Sequence, residues 1–136
     1  LDVSASALSA ERLRMNVTSS NLANAETTRT PEGGPYRRKD AVFEAKPFAS
    51  ELKAEMEPTL HKVQVVDVVS DPNPPKLVHQ PDHPDANPDG DVAYPNINTM
   101  EEMVNLITAS RTYEANVTAI NIARNMMNKA LDIGRK

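Results

Sequence analysis

The chain has no cysteine. Disulfide scaffolds, zinc–thiolate centres, thiol nucleophiles and thiolate-ligated clusters are therefore excluded. Tryptophan is absent too, and the aromatic complement is three tyrosines and two phenylalanines. With four glycines, cofactor-binding turns are hard to build, and neither a glycine-rich phosphate loop nor a Gly-x-Ser-x-Gly elbow occurs. No run approaches the roughly 18 apolar residues that a membrane span needs. No charged n-region leads into an apolar h-region with a small-residue cleavage site, so no cleavable secretory signal is visible. The net charge of −4, from 15 basic and 19 acidic side chains, argues against nucleic acid as a partner of the whole chain, because such proteins usually present a basic face to phosphates. What 136 residues do allow is one compact domain, or a small domain with appendages.

Proline divides what is there. All eleven prolines lie between Pro31 and Pro95. A proline inside a helix costs roughly 3 kcal/mol, so the proline-free ends are the places for helices. Charge follows the same partition: −4 over 36–98, −1 over 1–35 and +1 over 99–136. Four of the five aromatics, Tyr36, Phe43, Phe48 and Tyr94, fall in the middle. The layout implied is a helical end over 1–30, a mostly β, loop-rich middle over 31–98, and a helical end over 99–136. The fold class is α+β, with the two ends pairing as a coiled coil.

The first end predicts a helix over about 3–24. Leu1, Leu8, Met15 and Leu22 recur every seven residues, and so do Val3, Ala10 and Val17. At roughly 100° per residue these rows lie nearly opposite each other. The helix thus carries two apolar stripes, where the surface helix of a monomer carries one. The last end predicts a helix over about 100–133. Thr99 and Glu102 have capping-box spacing, Gly134 suits a left-handed stop, and Arg135 and Lys136 suit the negative end of the dipole. Met103, Leu106, Ser110, Tyr113, Val117, Ile120, Arg124, Met127 and Leu131 follow the three-and-four spacing of a coiled-coil seam. Ala115, Ala119, Ile122, Met126, Ala130 and Ile133 form a second row. At about 1.5 Å per residue this helix is about 50 Å long, too long to pack within a domain of this size. Pairing the ends uses one stripe on each; the second stripes are left for other subunits to cover.

The middle reads as extended. Residues 36–45 hold β-formers after the Gly33-Gly34-Pro35 turn. Residues 63–69 are the best strand, and their alternation changes phase at Val65-Val66, which predicts a bulge. Residues 76–79 suit a short strand, and 82–95 a long polar loop turning at Asp89-Gly90. One small antiparallel sheet with long loops is expected.

Chemistry-bearing residues are sparse. His79 and His83 have the i, i+4 spacing of a metal pair, but that spacing requires a helix, and Pro81 and Pro84 forbid one. Asp85, Asn87, Asp89 and Gly90 match the first half of a calcium loop, yet Asn96 stands where a bidentate glutamate is needed. A hydrogen-bonded turn is the better reading, with a small calcium- or metal-binding interaction module built on residues 82–91 as the alternative function. A hydrolase using Asp82, His79 and His83 rests only on the polarity of that loop. In the run Tyr36-Arg37-Arg38-Lys39, strand alternation puts Arg37 and Lys39 on one face and Arg38 on the other. Two glycosylation-type sequons, at Asn16 and Asn116, fall inside the helices. No cofactor, catalytic residue or metal ligand is assigned.

Ser20-Asn-Leu-Ala-Asn-Ala25, followed by Thr27-Thr28, resembles the flagellar basal-body rod and hook family. So do Thr30-Pro-Glu-Gly-Gly-Pro-Tyr-Arg-Arg-Lys39, His83-Pro-Asp-Ala-Asn87 with Asp89-Gly90, and Tyr94-Pro-Asn-Ile-Asn98, which are similar to its proximal-rod members. Glu101-Glu-Met-Val-Asn-Leu-Ile107 and Arg111-x-Tyr-Glu-Ala-Asn116 match the family's C-terminal helix. The resemblance implies a structural subunit of the bacterial basal body. Its partners would be other rod proteins and copies of itself, without direct membrane insertion. It also implies export through the flagellar type III apparatus without a cleaved signal, and a place in the rod that crosses the periplasm and carries torque. On that reading the assembly interface is carried by Leu8, Met15, Asn21, Leu22 and Asn24 in the first helix. In the second it is carried by Met103, Leu106, Tyr113, Asn116, Val117, Ile120, Met127 and Leu131. The asparagines would fix register between helices, since a buried amide left unpaired is costly. The ends are expected to fold on assembly.

Overall fold

The computed structural model describes residues 2–47 and 61–134. Leu1, Phe48 and the Arg135-Lys136 pair expected at the dipole end lie outside the described residues. The order is α1 (Asp2–Ala23), β1 (Lys39–Pro47), β2 (His61–Ser70), β3 (Lys76–His79), β4 (Asp91–Tyr94) and α2 (Thr99–Gly134). This is the expected α+β arrangement, with helical ends around a small β-rich middle. Among the described residues no helix is long and apolar enough to cross a membrane.

Side-chain amides set two of the helix boundaries. At the end of α1, Asn24 donates from both its backbone and its side chain to the Ser20 carbonyl, at 3.1 and 2.9 Å. That satisfies a terminal acceptor that the helix itself leaves open. At the start of α2 the cap is Asn98, whose Oδ1 accepts from the Met100 and Glu101 amides at 3.1 and 3.4 Å. The expected Thr99–Glu102 capping box is therefore not used. With the cap one residue earlier, Glu102 sits beyond the capping position and its carboxylate turns inward. Nor does Gly134 stop α2 in a left-handed conformation: it is helical, and only Gly33, Gly34 and Gly90 have positive φ.

α1 and α2 pack on each other. Asn21, near the end of α1, bonds Glu102, near the start of α2, so the two helices run antiparallel. With 22 residues in α1 against 36 in α2, α2 runs on past α1 by about 20 Å. The covered side of α2 follows Glu102, Leu106, Ala109, Tyr113, Asn116, Ile120 and Ala123, spaced alternately by four and three. The predicted seam shares Leu106, Tyr113 and Ile120 with it. Elsewhere the seam is turned by one position, so Met103, Arg124, Met127 and Leu131 stay exposed. The prediction followed bulk, whereas the helices meet where side chains are small enough for close approach, as at Ala10 and Ala109.

β1 and β2 form one antiparallel ribbon, and β3 and β4 another. Two two-stranded sheets thus replace the single sheet expected, because Pro72, Pro74 and Pro75 interrupt pairing between β2 and β3. The bulge falls where the change of phase put it. Val42 pairs with Asp67 and Phe43 with Val65, leaving Val66 as the extra residue. The first ribbon packs along α1, and the Val63 amide donates to Ser6 Oγ at 3.3 Å. α1 therefore lies between α2 and the ribbon. Both of its stripes are partly covered inside the subunit: Val3, Leu8, Met15, Val17 and Leu22 are all half-buried. The uncovered stripes belong to α2.

The second ribbon closes through Gly90. Its φ is +84°, and a Cβ there would come within 2.9 Å of His79 Cε1 and 3.3 Å of Pro81 Cβ. Gly90→Ala is expected to loosen the hairpin by about 1–3 kcal/mol through backbone strain. Faster amide exchange confined to β3 and β4 would report it, and unchanged exchange would contradict the strain.

Candidate assembly interface

The most deeply buried polar side chains of the described residues form one cluster joining α1, α2 and β1. Asn21 and Glu102 are each 1% exposed. Asn21 Oδ1 accepts from the Lys39 amide at 2.9 Å and from the Tyr36 hydroxyl at 3.1 Å. Its Nδ2 donates to the Lys39 carbonyl at 2.8 Å and to Glu102 Oε2 at 3.3 Å. The amide has two donors and two acceptor sites, and all four are used. Glu102 Oε1 accepts from Arg38 Nε at 2.6 Å, and the same guanidinium pairs with Asp40. Burial works against the Arg38 charge, but the hydrogen bonds and charges of Asp40 and Glu102 outweigh it and raise the guanidinium above its ordinary pKa. β1 begins only at Lys39, so residues 36–38 precede the strand expected there; the alternation of exposure still holds, with Arg38 half-buried while Arg37 and Lys39 are exposed.

A second polar clamp holds the β3–β4 loop against the segment that follows α1. Thr28 Oγ1 donates to Asp85 Oδ2 at 2.8 Å, and Arg29 pairs with Oδ1 at 2.6 Å. The Asp85 amide in turn donates to His83 Nδ1 at 3.0 Å. The Thr28 hydrogen bond first, then the Arg29 charge, hold the Asp85 carboxyl below its usual pKa against the opposing effect of desolvation. A carboxyl whose folded pKa is depressed stabilises the docked loop above its unfolded value of about 4. That contribution should fade as pH falls from there through the lower folded value. The Asp85 carboxyl-carbon shift, followed by NMR, should have its main transition in that window, with the Thr28 amide shift moving alongside it; a main carboxyl transition centred above about pH 4 would reject the assignment.

The same geometry bears on the calcium alternative. Asp85 is committed to Thr28 and Arg29. Asn87 Oδ1 accepts from the Asp89 and Asp91 amides at 3.0 and 2.8 Å, which is the hydrogen-bonded turn. His79 Nδ1 faces Asp91 at 3.0 Å, while His83 meets Tyr94 edge to face at 6.3 Å. The two histidines thus have separate partners. Among the described residues no group of three such side chains is placed to hold a metal ion, so the metal-binding reading is not favoured.

The residues expected at the interface fall into three groups. Asn21 is buried in the cluster, and Asn24 closes α1. Leu8, Met15, Leu22, Leu106, Tyr113, Asn116, Val117 and Ile120 are half-buried, along the length where α1 and α2 run side by side. Met103, Met127 and Leu131 are exposed, and with them Met100, Val104, Ile107, Ile122, Met126 and Ile133. The outer face of α2 therefore carries an apolar patch at each end. From residue 121 to 134 every residue but Ala123 is exposed. Arg38 and Glu102 were missed as a pair, and the inward phase of Arg38 was the one local sign of it.

Two family models match the ends of the chain: flagella basal body rod protein over residues 1–29, and flagellar basal body rod FlgEFG protein C-terminal over residues 90–133. Curated relatives match nearly throughout. The flagellar basal-body rod protein FlgC of Bacillus subtilis is 45% identical, over 99% of this chain and 96% of its own length. The FlgC proteins of Borreliella burgdorferi and of Escherichia coli are each 41% identical over 98% of this chain, covering 94% and 95% of their own lengths.

Proposed function

The chain belongs to the FlgC family of flagellar basal-body rod proteins, and from that premise we propose that it is a structural subunit of the proximal rod, transmitting torque across the periplasm. The carrying observation is α2. A helix of 36 residues with apolar patches on its outer face, running past its intramolecular partner, is a surface for neighbouring subunits. Packed helices in a tube resist bending and shear through many contacts, which suits a drive shaft. The partners proposed are copies of this chain and other rod proteins, and the type III export apparatus during secretion without a cleaved signal. The helical ends, 1–30 and 99–136, form the inner assembling region on this reading, and 31–98 the outer one. A density map of isolated basal bodies tests it directly. Both helices are expected to line the inner wall of the rod; density for them on the outer surface would reject the proposal.

Coupled folding follows from the same surface. Among the described residues the buried hydrophobic side chains are only Ala10, Val92 and Ala109. Ordering a residue costs roughly 1–2 kcal/mol of backbone entropy, so a core this small leaves the stretch of α2 beyond α1 near balance until neighbours cover it. The dilute monomer is expected to show less helicity by circular dichroism than α1 and α2 would supply, with fast exchange over 121–134. Stable, protected terminal helices in a verified monomer would remove this part of the reading.

A further inference from the structure

Charge is unevenly shared along this chain. Residues 27–39 hold four basic side chains, Arg29, Arg37, Arg38 and Lys39, against the single acid Glu32. Residues 77–110 hold six acids and no lysine or arginine. Inside the subunit the two stretches already meet twice, at Arg29–Asp85 and Arg38–Glu102, each 2.6 Å. Among the exposed charges left over are Arg37 and Lys39 on the basic side and Asp82 and Asp89 on the acidic side. None of these four makes an ion pair among the described residues. Lys39 Nζ lies 5.8 Å from the centroid of the Tyr36 ring.

The basic surplus surrounds a cleft of about 500 Å3, lined by Arg29, Arg37, Lys39, Tyr36, Asn24 and Glu32 among others. The cleft is shaped before anything enters it. On one side Gly33 and Gly34, at φ +87° and +78°, turn the chain sharply, and the Thr30 amide bonds the Gly34 carbonyl at 3.0 Å. On the other, the Tyr36 hydroxyl is tied to the buried Asn21. The acidic surplus is equally rigid. It sits on a turn stiffened by Pro81, Pro84 and Pro88 and by the Asn87 hydrogen bonds, so docking it costs little conformational entropy.

We infer that this cleft is the receiving half of a contact between copies of the chain, and that it takes the acidic turn around Asp82 and Asp89 of a second copy. The inference rests on the reading that the chain assembles with itself. The two halves are different patches with opposite charge, and a contact between different patches propagates instead of closing on a pair. A second copy supplies the stiff acidic partner that the cationic cleft requires, and nucleic acid would instead be repelled by the acidic turn that the Arg29–Asp85 pair holds beside the cleft.

Charge reversal tests this in cells that express only the variant chain. Arg37→Glu with Lys39→Glu is expected to lower incorporation into basal bodies at least tenfold, with export unchanged. Asp82→Lys with Asp89→Lys should do the same. Combining all four should restore incorporation to within about threefold of the parent. All four side chains are exposed, so circular dichroism of each variant should match the parent. The lack of native cysteine adds a second readout. Arg37→Cys with Asp89→Cys should give disulfide-linked dimers and higher multimers of this chain in isolated basal bodies. Undiminished incorporation of either reversed pair, defects that the combination does not repair, or a disulfide within one chain only would each overturn the inference. A parent chain missing from the rod altogether would instead refute the function from which it starts.

Discussion

Ile122→Asp combined with Met126→Asp is expected to abolish rod assembly while leaving the subunit exported. Both residues lie on the stretch of α2 that runs past α1, and they are 54% and 63% exposed in the subunit. Nothing inside the chain depends on their packing, so the monomer should keep whatever structure it has. In the rod the same side chains are proposed to be covered. Each large apolar side chain contributes about 1.5–3 kcal/mol on burial, so losing two forfeits about 3–6 kcal/mol per contact. That alone corresponds to about 10²–10⁴ in association constant, and burying a carboxylate in place of each makes the contact worse still. A swim-plate assay with immunodetection of the exported subunit would check it. Normal motility would show that this end of α2 is not an assembly surface. Tyr113→Asp is a less discriminating substitution. Tyr113 is half-buried on the side that faces α1, so a defect there would mix subunit stability with assembly.

The legible parts of this fold were those written in local spacing. Proline placement separated helical ends from an extended middle, because one residue type forbids a helix wherever it stands. The doubled valine at 65–66 located a bulge to the residue, and alternation over 37–39 sent Arg38 inward. The seam of α2 was read with the right period and a displaced phase. Periodicity fixes which residues share a face, but not which of two adjacent faces meets the partner. Bulk favoured Met103, while close approach favoured Ala109. The polar cluster was not legible at all. Its partners are separated by 81 residues for Asn21 and Glu102 and by 64 for Arg38 and Glu102, and no short-range pattern relates them. Glu102 was also disguised, because Thr99 before it makes a plausible capping box. Only when Asn98 takes the cap is the carboxylate released to serve as the point where two helices and a strand join.

That cluster should make Arg38 one of the most sensitive positions in the subunit. Arg38→Ala takes the cation from a Glu102 carboxylate that is 1% exposed in the parent and leaves it the 3.3 Å bond from Asn21. Removing one partner of a buried pair costs about 3–5 kcal/mol, because the remaining charge is stranded. A domain of ordinary stability has about 5–15 kcal/mol in total, and this one buries few hydrophobic side chains. The variant is therefore expected to lose the docking of β1 against both helices, with early urea unfolding and a strain that does not swim. Stranding of a charge can be separated from loss of packing by a second change. Glu102→Gln keeps an acceptor and a donor at the same place without the charge, so Arg38→Ala with Glu102→Gln should recover more than half of the lost stability. The coupling in that double-mutant cycle should exceed about 1 kcal/mol, as expected of residues in direct contact. Additive effects would mean that Arg38 contributes through its aliphatic stem, and the ion pair would then have no part in holding the strand to the helices. If the coupling is large, the two helices and the ribbon beside them are joined at one charged hinge point, and substitutions there should stiffen or loosen the whole subunit together.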